Sequence, residues 1–295
     1  MRKILVLMAG LMMAATVTAP PAAAITGDFV EDFEHPYVGL VALYDEDGAY
    51  LQRCSGTLLS STVFLTAGHC TSEETGAASA RVYFQQDAGA NYDPALDLDP
   101  VSGYPEYCAE GTEDVCATSS GELHNLGWSR SAALPDSGDA GLVILEEPIR
   151  LEEYGALAAA GTLDALSTRR GQQDLTFTVS GYGLSDSNAV SSVSYRERLM
   201  AESRLTNLRS HITDGYNLQT NGNGSGRGGT CSGDSGGPVF QGGFESNLVV
   251  AITSFGQNPY CGGADFGYRT DRQEVLDWIR ATVGEDLWAE IEVIG

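Results

Sequence analysis

Between residues 25 and 270 the apolar residues come in short runs: Tyr37–Tyr44, Thr57–Leu65, Arg81–Phe84, Leu142–Leu145, Leu175–Val179 and Leu248–Thr253, separated by Gly, Asp, Asn and Ser. Runs of this length, rich in Val, Leu, Phe, Tyr and Thr, predict the strands of an antiparallel barrel or sandwich. The long amphipathic helices that would alternate with strands in a parallel α/β sheet are missing. One helix is expected near the C-terminus. Asp271 is its cap with Glu274 three residues on, Val275, Ile279 and Val283 share a face, and Gly284 supplies the stop. The fold class is therefore all-β with a C-terminal α-helix. With 36 glycines and 42% apolar residues the chain is turn-rich but not of disordered composition. No short repeat and no Pro-rich linker divides it, so it reads as one large unit or two similar halves. The acidic, turn-rich stretch 85–121 and the Gly/Asn/Ser stretch 221–229 read as surface insertions.

The charge balance excludes whole classes of partner. Sixteen Lys plus Arg stand against 40 Asp plus Glu, a formal charge of −24. A nucleic-acid backbone is held by clustered cations, and an anionic membrane surface repels such a chain. Neither nucleic acid nor membrane is an expected partner. The N-terminus has the form of an export signal. Arg2 and Lys3 precede the apolar stretch Ile4–Val17, which is shorter than the ~18 residues of a membrane span, and Pro20–Ala24 ends in a small-x-small pattern. Residues 1–24 are thus expected to be a signal peptide, and 25–295 a secreted, soluble domain. An N-terminal anchor helix is the alternative. Lys3 is the one lysine, and removal of the leader would leave 14 − 40 = −26. Six cysteines in an exported chain imply three disulfides out of 15 pairings. No Cys-x-x-Cys occurs, and His35, His69, His124 and His211 lie far apart, so neither a zinc site nor a cofactor is expected.

Three segments carry chemistry: Leu65-Thr66-Ala67-Gly68-His69-Cys70, Asp139-Ala140-Gly141-Leu142-Val143-Ile144-Leu145 and Gly233-Asp234-Ser235-Gly236-Gly237-Pro238. A serine hydroxyl is a poor nucleophile near neutral pH and needs an imidazole to take its proton, a role for His69. The imidazole in turn needs a buried carboxylate to hold one tautomer and stabilise its cation, a role for Asp139 at the head of an apolar strand. Glycines around Ser235 let the backbone turn and aim the N–H groups of Gly233 and Ser235 at a developing oxyanion. Gly233 to Gly237 also fits the Gly-x-Ser-x-Gly elbow of α/β-hydrolases, but there the histidine follows the serine, and here every histidine precedes it.

In these motifs the chain resembles the chymotrypsin-fold (trypsin-like) serine endopeptidases from Ile25 to about Ile279. The resemblance implies two packed six-stranded antiparallel barrels with His69, Asp139 and Ser235 in the cleft between them, acting on a peptide or protein substrate as a monomer. It pairs Cys54 with Cys70 beside His69 and Cys231 with Cys261 across the specificity pocket, which leaves Cys108 for Cys116. Val179-Ser180-Gly181-Tyr182-Gly183 is similar to a segment where relatives carry Trp in place of Tyr182. Ser254-Phe255-Gly256 is similar to the strand that pairs with substrate. By the same resemblance a freed Ile25 ammonium would bury itself against Asp234, with signal peptidase making the cut. Thr26 and Asp28 depart from the usual Ile-Val-Gly-Gly start, and the alternative is that Ile25 merely opens a surface strand.

The resemblance places Gly229 and Thr230 at the pocket floor, where an Asp would mark a Lys/Arg cutter. Counting back four from Arg269 places Asp265 on the pocket wall. If its carboxylate points inward, basic side chains are favoured; if outward, large apolar ones. His35, His124 and His211 are expected to be ordinary histidines, and Asp93, Asp97 and Asp99 a solvated acidic run rather than a calcium loop. The rival classes are a catalytically inactive protease-like binding protein and an esterase using the same triad.

Overall fold

The computed structural model describes residues 25–96, 103–104, 108, 110–168 and 175–295. The leader, Asp97 and Asp99 lie outside the described residues. Two antiparallel sheets carry the fold. In the first, strands run in the order Cys116–Ser120, Ser79–Tyr83, Val38–Tyr44, Tyr50–Leu58, Val63–Thr66, Gly141–Ile144 and Leu123–Asn125. Only two residues separate its two end strands, and Gly121 takes φ 87° between them. They act as halves of one bent stave, so seven strands make a six-staved barrel.

The second barrel is a closed ring of Pro238–Phe240, Thr176–Gly181, Leu199–Asn207, Asn217–Asn221, Ala264–Arg269 and Leu248–Gly256, the last pairing back to the first. Ala156–Ala158 extends that sheet in parallel, flanked by Val293–Ile294. The expected two-barrel, all-β architecture is what the chain adopts.

Every residue of the Val38–Tyr44 strand is buried, because one apolar cluster fills the first barrel and continues through Tyr182, Phe240 and Ile252 into the junction between barrels. Each fully buried side chain of this size is worth about 1.5–3 kcal/mol. Ile25, Phe177, Val179, Leu199, Leu218 and Val250 belong to a second cluster in the other barrel. Tyr182 sits where the relatives' Trp is expected, fully buried, donating to the Gln85 carbonyl at 2.8 Å. A buried tyrosine needs such a partner.

Four local expectations are corrected. The run Thr57–Leu65 is not continuous, because Ser60, Ser61 and Thr62 turn the chain between two strands. The helix Gln273–Trp288 buries Val275, Leu276 and Ile279; Gly284 at φ 78° kinks it rather than ending it, and Val283 is only half-buried. Asp271, however, does not cap it: its buried carboxylate accepts from Arg269 Nε at 2.8 Å and from the Leu163 amide at 2.7 Å. Nor are the two insertions mere surface. Residues 116–120 are a barrel stave, Ala88 and Tyr104 are buried, and the Arg196 guanidinium lies 3.4 Å from the Tyr92 ring centroid. Gly228–Gly229 pairs with Thr26–Gly27.

Candidate active site

His69 lies on a single helical turn, Gly68–Thr71, that follows the Val63–Thr66 strand. That strand pairs with Gly141–Ile144, setting Thr66 opposite Gly141 and so bringing Asp139 beside His69. The Asp139 carboxylate, 2% exposed, accepts from the His69 amide at 2.8 Å and from Nδ1 at 3.1 and 3.0 Å. Ser254 Oγ donates to Oδ2, the oxygen nearer Nδ1. A carboxylate can only accept, so Nδ1 carries the hydrogen and Nε2 keeps its lone pair. Burial alone would depress the His69 pKa, but the Asp139 charge and hydrogen bond outweigh it and the net shift is upward. The Cys54–Cys70 disulfide ties this turn to the neighbouring strand.

Ser235 occupies a turn built by glycines. Gly233 and Gly236 take φ 98° and 80°, and a Cβ on Gly236 would lie 2.1 Å from Thr66 Oγ1 and 2.5 Å from the Ala67 nitrogen. Only glycine fits so close to the segment that leads into His69. The Gly236 amide donates to the Thr253 carbonyl at 2.7 Å, and the Ser55 amide to the Ser235 carbonyl at 2.8 Å. Ser235 is thus strung between Thr66-Ala67, which precede His69, and Thr253-Ser254, which reaches Asp139. Among the described residues no hydrogen bond joins Ser235 to His69 and neither the Gly233 nor the Ser235 amide meets an acceptor. Catalytic contacts are commonly looser without substrate.

Asp234 is fully buried, accepting from the Gly183 and Cys231 amides at 2.8 Å each. Burial nevertheless pushes its pKa up to about 8, against the two amides and the Arg53 charge. Ile25 is also fully buried, but its nitrogen is still in peptide linkage to Ala24, so the expected ion pair is not formed in the uncut chain.

A cavity of about 210 Å³ opens beside Ser235, lined by Thr230, Ser254, Phe255, Gly256 and Asp265 and bordered by Cys231 and Cys261, which are bridged. Phe255 stacks on Phe266 at 4.5 Å. Asp265, only 7% exposed, points inward. Its Oδ2 accepts from the Thr230 amide at 3.0 Å and lies 2.5 Å from where a Gly229 Cβ would be. Burial raises its pKa to about 7, opposed by the Thr230 bond. The third disulfide joins Cys108 and Cys116. The nearest approach to a metal-ligand group among the described residues is Cys54, His69 and Cys70, and both sulfurs are already in the bridge.

Several residues here were not readable in the chain. Ser55 Oγ donates to the Gly233 carbonyl at 2.9 Å while accepting from the Tyr182 amide at 2.9 Å, a hub between barrels that only long-range pairing creates. The Trp128 ring stands 5.9 Å from the His69 ring on a turn closed by Asn125. His35 is buried, 2.8 Å from Asp32 and stacked on Phe240. Burial would raise the Asp32 pKa, but His35, Arg198 and Ser180 outweigh it and the net shift is downward. Ser180 donates to Asp32 and not to the imidazole, so this second Asp/His/Ser cluster activates no nucleophile.

Two packed six-staved barrels with an imidazole, a buried carboxylate and a glycine-cradled serine at their seam define the architecture of the chymotrypsin-like proteins. A family model described as Trypsin matches residues 24–279, and the chain belongs to that family. It is 25% identical over 267 residues to Serine protease 7 of Drosophila melanogaster, covering 85% of this chain and 62% of that protein. It is 26% identical over 265 residues to the Spaetzle-processing enzyme of the same species, covering 84% and 63%. The chain thus spans somewhat under two thirds of the length of these relatives. Among solved structures, HL collagenase superposes with a TM-score of 0.56 at 20% identity, covering 89% of this chain and 99% of that one. Human heparin binding protein gives 0.57 at 19%, covering 87% and 95%. A scabies mite inactivated protease paralogue gives 0.56 at 16%, covering 89% and 97%. These share the fold.

Proposed function

We propose that this chain is a secreted serine endopeptidase that cleaves after Lys or Arg, with Ser235 as nucleophile, His69 as general base and Asp139 as its orienting carboxylate. The observation that carries the reading is the buried Asp139 carboxylate bonded to His69 Nδ1, which leaves Nε2 as the basic nitrogen of a turn whose lead-in, Thr66-Ala67, packs against the Ser235 turn. In the reaction the Ser235 oxygen attacks the peptide carbonyl carbon as its proton passes to His69 Nε2. The imidazolium is stabilised by Asp139, and the new oxyanion by the unengaged amides of Gly233 and Ser235. His69 then protonates the departing amine as the C–N bond breaks, leaving an acyl ester on Ser235. Water, deprotonated by the same nitrogen, hydrolyses that ester. The inward Asp265 supports a basic side chain in the pocket, where a charge-assisted bond would offset its burial. Export is supported by the three disulfides and the leader-like sequence 1–24, and the cut before Ile25 by the burial of both Ile25 and Asp234.

An active-site phosphonate tests the reading. Modification of wild-type Ser235, lost in His69→Ala, is the expected result. An intact but unlabelled protein would instead be a protease-like protein without catalysis, as the name of the scabies mite inactivated protease paralogue states of that protein.

A further inference from the structure

The two departures from the usual N-terminal sequence of such proteins both bond to the segment Gly226–Gly229 that leads into the pocket floor. Thr26 lies opposite Gly229 in a short antiparallel pair, and its Oγ1 donates to the Gly229 carbonyl at 3.2 Å. That carbonyl belongs to the same peptide plane as the Thr230 amide, which donates to Asp265 Oδ2 at 3.0 Å. The hydroxyl, the peptide and the carboxylate therefore form one chain of hydrogen bonds. Polarising a peptide at its oxygen strengthens its N–H as a donor. Asp28 fixes the strap further along: its Oδ2 accepts from the Gly226 amide at 2.5 Å and its amide donates to the Arg227 carbonyl at 2.8 Å.

A second cavity of about 150 Å³ lies between the strap and the carboxylate, lined by Thr26, Gly229, Asp265, Asn223, the Cys261 bridge and neighbouring glycines. Asp265 Oδ1 lies on the Gly256 side, along the wall of the cavity that opens at Ser235. With Oδ2 pinned by the peptide, Oδ1 is the oxygen presented to a ligand.

We propose that Thr26 is a specificity-positioning residue, its hydroxyl orienting Asp265 through the Gly229–Thr230 peptide so that the pocket receives an amidinium, guanidinium or ammonium group. This rests on Asp265 being the pocket acid. Benzamidine, which needs that acid but no catalysis, is the probe, with its dissociation constant measured by calorimetry for wild type, Thr26→Val, Thr26→Ser and Asp265→Asn. Loss of one neutral hydrogen bond is expected to weaken Thr26→Val about three- to tenfold. Thr26→Ser, which keeps the hydroxyl, is expected to restore affinity. In cleavage of a Lys peptide the same loss is expected in KM rather than kcat. Equal affinity of wild type and Thr26→Val, with Asp265→Asn clearly weaker, would overturn the proposal while sparing the pocket acid. Wild type that binds no better than Asp265→Asn removes the pocket acid itself, and the role of Thr26 with it. Valine suits an extended strand position, and an unchanged melting temperature separates lost positioning from lost folding.

Discussion

At Asp265 a buried carboxylate faces a cavity that has no cationic side chain among its described lining residues, and burial raises its pKa to about 7. A folded-state pKa this far up leaves the group neutral below that pH. The kcat/KM ratio of a Lys peptide to a matched Leu peptide is therefore expected to rise with pH through about 7 and to collapse below it. The ratio cancels the titration of His69, and an Asp265→Asn variant should flatten it from about pH 5 to about pH 9. Asp234 gives a second test with the sign carried by the fold. Its pKa is raised from 3.8 to about 8, so the folded uncut chain keeps a proton that the unfolded chain has lost over that interval. Stability of the uncut chain should fall as pH rises between those values, and Asp234→Asn should abolish that part of the slope in thermal melts. His69, Asp139 and Ser235 were legible because each sits in a tight local sequence whose small neighbours are needed for close approach. Ser55 and Trp128 were not, since a strand serine and a loop tryptophan acquire meaning only from what the fold sets against them. Thr26 and Asp28 read as departures from a familiar start, and in the fold each makes a side-chain bond to the loop under the pocket.

Among the elements, the turn around Ser235 is the least tolerant. Gly236→Ala would place a Cβ 2.1 Å from Thr66 Oγ1 at a left-handed φ of 80°. A cost of about 3 kcal/mol or more is expected in denaturant titration, together with loss of phosphonate labelling. The Cys108–Cys116 bridge is the opposite case. It closes a separation of only eight residues and lies apart from the pocket-spanning Cys231–Cys261. Replacing both by serine is expected to cost about 2–3 kcal/mol of stability and leave labelling of Ser235 intact. The strands were readable from their apolar runs because each barrel face must be apolar. The turn at Ser60 to Thr62 was not, since its neighbours are as apolar as the strands themselves. Asp271 was misread as a cap because sequence spacing could not reveal Arg269 two residues upstream turning back onto it.

For the molecule as a whole, the formal charge of −24 makes a long-range field that draws cationic substrates and repels anionic ones. With a polybasic peptide, kcat/KM should fall steeply as salt is raised toward ~0.15 M, where the screening length is about 8 Å. A short neutral ester cleaved at the same serine should show little change. The strands were visible in the sequence and the two barrels were implied by the family resemblance, but closure depended on Gly121 and on pairings far apart along the chain. One property of the whole follows from the burial of Ile25 and the lack of lysine beyond Lys3. A protein cut before Ile25 would possess a single primary amine, sealed inside its second barrel. Acylating reagents would pass over the native protein and mark each molecule once, at its new beginning, only when it comes apart.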